Sequence, residues 1–137
     1  MALLINIDVP DLSEGVRFYE AATGLRLVRR LFGGSVAELR GGPVAVYLLE
    51  KPEDSAPAPP PAIARQYARH WTPVHLDFVV DDVQAAVANA VAAGALLESG
   101  PVLHGWGYLA TLSDPFGHGL CFIQWAAEGS GYPDDAA

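Results

Sequence analysis

The chain has 137 residues, enough for one domain or two small fused modules, and 51% of them are hydrophobic, enough to bury a core. A formal net charge of −8 argues against a phosphate-backbone partner, since nucleic-acid binding needs a basic footprint. One cysteine excludes an internal disulfide framework, the apolar runs are too short and interrupted to span a membrane, and the first residues carry no leader pattern, so the expectation is a cytoplasmic protein with no membrane partner.

Leu3–Val9 alternates in side-chain character and reads as a strand. Asp11 followed by Glu14 is a variant of the capping box, and Val16, Phe18, Tyr19 and Ala22 lay an apolar stripe at helical spacing until Thr23-Gly24 ends it. Leu25–Phe32 reads as a second strand, Gly33-Gly34 as a hairpin turn, Ser35–Arg40 as a third strand, Gly41-Gly42 as another turn and Pro43–Glu50 as a fourth strand. Arg29 and Arg30 point to opposite faces of their strand, so the basic cluster with Arg26 is no patch. Residues 1–50 therefore form a βαβββ module. Residues 51–71 are a connector, proline- and alanine-rich over 51–61 and able to add a helical turn over Ile63–Arg69.

The order then repeats over residues 72–126. Thr72–Val80 reads as a strand, Asp82–Ala93 as a capped helix ended by Gly94, Ala95–Leu103 as containing a strand that ends near Gly100-Pro101, and Trp106–Ser113 and Gly119–Trp125 as the last two. Asp114-Pro115-Phe116-Gly117 makes the turn between those two. Residues 127–137 are a small, polar tail expected to fray. Leu4–Asp11 aligns without gaps onto His75–Asp82, with Ile5, Ile7 and Val9 on Leu76, Phe78 and Val80, and Asn6 on Asp77. The chain thus reads as two copies of one unit.

The paired modules, the Val-x-Asp corner opening each helix, Phe18-Tyr19-Glu20 in the first helix and Asp114-Pro115-Phe116-Gly117-His118 before the last strand resemble the vicinal oxygen chelate superfamily. That group includes glyoxalase I, bleomycin-resistance proteins, fosfomycin-resistance enzymes, extradiol dioxygenases and methylmalonyl-CoA epimerase. The resemblance implies an α+β fold of two tandem βαβββ modules, forming a curled, mixed eight-stranded sheet around a ligand cleft. It implies no single reaction.

Enzymes of that group usually hold a divalent metal through the first and last strands of the modules. Carried over one position at a time, the resemblance implies Leu4 and His75 on the first strands, and Tyr47 and Cys121 on the last. Leucine cannot ligate, tyrosine rarely does, and a lone His–Cys pair lacks the third protein ligand of a catalytic zinc site. The expectation is no metal, no cofactor and no assigned catalytic residue, with recruitment of Glu38, Asp77 or His104 as the loophole.

The side chains expected to contact a ligand are Asn6, Tyr47, His75, Asp77, Trp106, Tyr108 and Cys121. His75 is either a ligand-contacting imidazole or a leftover of the metal position, hydrogen-bonded to Asp77. Asn6 and Asp77 are mid-strand polar groups that need partners or water. Trp106, Tyr108 and Tyr47, with Phe32, are either aromatic walls or core packing. Cys121, between Leu120 and Phe122, reads as an inert buried thiol rather than a nucleophile. The reading is a metal-free protein of the glyoxalase/bleomycin-resistance type that binds a flat, cationic aromatic small molecule and forms a homodimer. The alternative is a lyase, isomerase or oxygenase of the glyoxalase type with an atypical or absent divalent-metal site.

Overall fold

Each period-two run forms a strand and each capped stripe a helix. The computed structural model describes residues 1–56 and 63–134. Part of the expected proline-rich connector, 57–62, and the last three residues of the tail lie outside the described residues. The first module contains β1 (Leu4–Val9), α1 (Leu12–Thr23), β2 (Arg26–Leu31), β3 (Val36–Arg40) and β4 (Ala45–Glu50). The second contains β5 (Leu76–Val79), α2 (Val83–Ala92), β6 (Leu96–His104), β7 (Gly107–Ser113) and β8 (Gly119–Trp125). The fold is α+β, with two similar βαβββ modules carrying one open, mixed four-stranded sheet each, in the orders β1-β4-β3-β2 and β5-β8-β7-β6. The compact units are Met1–Ala68 and Arg69–Ala137.

The helices begin where the sequence places their caps. Asp11 Oδ1 accepts a hydrogen bond from the Glu14 N–H at 2.9 Å, and Asp82 Oδ1 accepts one from Ala85 N–H at 3.0 Å. The stripe of α1 buries Leu12, Val16, Phe18, Tyr19 and Ala22. Each large member that is fully buried stabilises by about 1.5–3 kcal/mol.

Registers explain where boundaries differ from the sequence reading. β5 starts at Leu76 rather than Thr72, because Leu76 pairs with Leu120 and the partner strand β8 begins only one residue earlier, at Gly119. His75 therefore stands just ahead of its strand. β6 runs through Gly100-Pro101 to His104, and its register on β7 shifts between Leu97 and Ser99 and again between Ser99 and Val102. The second shift carries the ladder past Pro101, which has no N–H to give. No helix forms over Ile63–Arg69, since Arg65 exchanges backbone hydrogen bonds with Asp54 and Ser55 instead, at 2.8 Å each. The tail turns back and sets Tyr132 against Trp106 and Trp125. Among the described residues no helix is long and apolar enough to cross a membrane.

Candidate functional site

Directly opposed residues of a ladder share a face of the sheet, so register shows which side chains meet. In the second module Asp77 is opposite Cys121, and Cys121 is opposite Thr111. The opposite face carries Phe122 and Gln124, and Gln124 Oε1 accepts a hydrogen bond from the Val83 N–H at the start of α2, at 2.8 Å. His75, Asp77 and Cys121 thus lie on the face away from α2. His75 Nε2 is 3.2 Å from Asp77 Oδ1, and one ligand atom from each of the three residues lies within 4.8 Å of the others. The Thr111 hydroxyl is 3.7 Å from the Cys121 sulfur. Burial pushes the Cys121 thiol up, and the Asp77 carboxylate adds to that, so the sulfur is held as a thiol and is a poor nucleophile.

Aromatic rings gather at the other end of β8. Trp106 stacks on His104 with centroids 4.8 Å apart and planes 3° from parallel. Trp125 meets Trp106 edge to face at 6.2 Å, and Tyr132 meets both, at 5.0 Å from Trp106 and 4.8 Å from Trp125. Beside them a pocket of about 460 Å³ is lined by Val79, Asp81, Trp125 and Glu128, among others.

The first module uses the equivalent face differently. Asn6 is opposite Tyr47, Tyr47 opposite Glu38 and Glu38 opposite Arg29, one row across four strands. Glu38 is only 2% exposed. Its carboxylate accepts from Arg29 Nε at 2.6 Å, Arg40 Nη2 at 2.9 Å and the Tyr47 hydroxyl at 2.6 Å. The Arg29 guanidinium, then the Tyr47 hydroxyl, hold its carboxyl down at about 2.

A glyoxalase-like domain matches residues 4–123, which is most of the chain. The chain belongs to the glyoxalase-like family. No curated protein sequence matches it significantly. Solved structures share this glyoxalase-like fold at low identity. A glyoxalase/bleomycin resistance protein/dioxygenase family enzyme from Burkholderia phytofirmans PsJN is 20% identical with a TM-score of 0.69, over 89% of this chain and 96% of that one. TnmS3, an antibiotic binding protein from Streptomyces sp. CB03234, is 22% identical with a TM-score of 0.63, over 92% and 96%. FosX, a fosfomycin resistance protein from Listeria monocytogenes, is 16% identical with a TM-score of 0.67, over 90% and 89%.

In the glyoxalase-like chain, register distributes the residues singled out from the sequence over the two sheets. Asn6 faces Tyr47 in one sheet as Asp77 faces Cys121 in the other, so Tyr47 and Cys121 are equivalent residues. The structure brings His75, Asp77 and Cys121 together and sets Trp106 in the ring cluster. Tyr108 stands opposite Gln124, on the α2 side of its sheet, apart from that trio. Asn6 and Tyr47 share the Glu38 row. Of the loophole residues, Glu38 is engaged by three donors and His104 is stacked on Trp106, whereas Asp77 adds the third ligand atom that a His–Cys pair lacks. An imidazole, a carboxylate and a thiol fit a borderline cation such as zinc in number and type, and do not fit magnesium. Trp125 and Tyr132 escaped the sequence reading. Trp125 was signalled by its spacing from Cys121, four residues and hence on the same strand face, whereas Tyr132 lay in a tail that has no periodicity to read.

Proposed function

We propose that the second module binds a flat, cationic aromatic small molecule without chemistry. The supporting observation is the acidic, aromatic pocket: Trp125 offers a ring wall, and Asp81 and Glu128 place two carboxylates beside it. A cation over an indole gains about 0.5–2 kcal/mol, more as water is excluded, and nearby carboxylates add attraction. Antibiotic binding by TnmS3 and fosfomycin resistance by FosX are activities of those proteins, and they make a small-molecule role a natural one for this chain. The proposed contacts within the pocket are Asp81, Trp125 and Glu128; His75, Asp77, Trp106 and Cys121, outside its lining, are proposed to extend the site, with Asn6 and Tyr47 offering a second polar face in the first module. Thermal shift against proflavine and related flat cations is the test. Saturation at a hundred times Kd is expected to stabilise by about 2.7 kcal/mol. No shift across the panel sinks the proposal. The same reading includes a homodimer.

One observation favours a second reading, the convergence of His75, Asp77 and Cys121 within 4.8 Å. These three would hold zinc, and the ion, when bound, would supply Lewis-acid polarisation of a substrate oxygen. Asp77 would also fix the His75 ring. Metal analysis of protein purified without chelator separates the readings: stoichiometric zinc favours this one, and its lack together with proflavine binding favours the first.

A further inference from the structure

The tail does not simply leave the sheet. Gly129 and Gly131 adopt left-handed φ of 70° and 65°, and the Ser130 N–H donates to the Ala127 carbonyl at 3.0 Å. Positive φ at both positions is cheap only for glycine, and it reverses the chain within a few residues of β8. The reversal delivers Tyr132 edge-on to Trp106 and Trp125, at interplanar angles of 71° and 79°. Tyr132 remains 54% exposed, so it caps these indoles rather than forming part of the core. Burial, and after it the Asp77 carboxylate, push the Tyr132 phenol up.

We infer that Tyr132 is an internal occupant of the Trp106–Trp125 cluster beside the pocket, a tethered phenol ring that an aryl ligand reaching those indoles must displace. This rests on the proposed ligand-binding reading and adds its regulation. The two indoles take a tyrosine ring in T-shaped contact, and that ring is the tail's own. A tethered ring competes at high effective concentration without any second molecule. Apparent affinity then falls by the fraction of molecules whose tail is open, so a tail closed about nine-tenths of the time weakens binding about ten-fold.

The experiment measures quenching of tryptophan fluorescence by p-cresol and by proflavine in the wild type, Tyr132→Ala and Tyr132→Phe, with a chain cut after Gly129 as the second test of tail removal. Tyr132→Ala and the shortened chain are expected to bind p-cresol about ten-fold more tightly than wild type, and Tyr132→Phe, which keeps the ring, to bind like wild type. Equal affinity in all four proteins overturns the occlusion and leaves the binding reading standing. Weaker binding without Tyr132 also overturns it, because the ring is then a wall of the site. Proflavine binding that is unaltered by the variants, with no p-cresol binding, overturns the inference alone. Failure of both probes with every protein overturns the inference and the binding reading together.

Discussion

Glu38 shows how one residue in a sheet can organise a face. Two arginines and a tyrosine spend their hydrogen bonds on a carboxylate that is 2% exposed. Its folded value of about 2 lies below the ordinary 4.5, so the ionised form is favoured by folding. A depressed carboxyl contributes its stability in full above the unfolded value and loses it as pH falls toward the folded one. Urea midpoints are therefore expected to drop as pH is lowered from 4.5 to about 2. Glu38→Gln should remove that part of the pH dependence and lower Tm at neutral pH by about 5 °C or more, because two guanidiniums and a phenol lose their charged acceptor. An unchanged acid profile in the variant would assign the loss to other groups. The sequence marked Glu38 only as a spare ligand, because Arg29 and Tyr47 reach it only through cross-strand register.

Among the elements, β7 is tightly constrained by backbone at its start. Gly107 has φ of 145°, and a Cβ there would lie 2.1 Å from the Gln124 carbonyl oxygen on β8. That oxygen is backbone and cannot swing aside. Gly107→Ala is expected to cost about 3 kcal/mol or more, read from chemical denaturation, and to disturb Trp106, its neighbour on the turn. A loss under about 1 kcal/mol would show that the β7–β8 ladder yields more than its register suggests. The helices were more legible than this strand. Asp11 and Asp82 bond to backbone N–H groups three residues on, a relation that local sequence contains in full. The close pass of Gly107 depends on the backbone of a distant strand, and no local pattern carries it.

For the whole molecule, the sheet edges bear on assembly. The sheet edges leave apolar side chains in water, with Leu3 64% and Leu4 57% exposed at β1 and Val74 82% and Val79 56% exposed at β5. Edge strands of this kind invite pairing with another chain. In line with the proposed homodimer, light scattering during size exclusion is expected to give twice the chain mass, and Val79→Lys to shift the protein toward monomer. A wild-type monomer at tens of micromolar would remove the dimer from the proposal. The sequence by itself determined the duplicated βαβββ plan, the helix caps and the turn before β8, because spacing along the chain is enough to set a period, a cap or a turn. Only the tertiary structure decided that Cys121 joins His75 and Asp77, that Arg29 and Tyr47 meet at Glu38, and that the tail returns Tyr132 to the indoles. Those meetings join residues far apart in sequence, or follow the path of a loop, and both depend on how strands pair rather than on which residues stand next to one another.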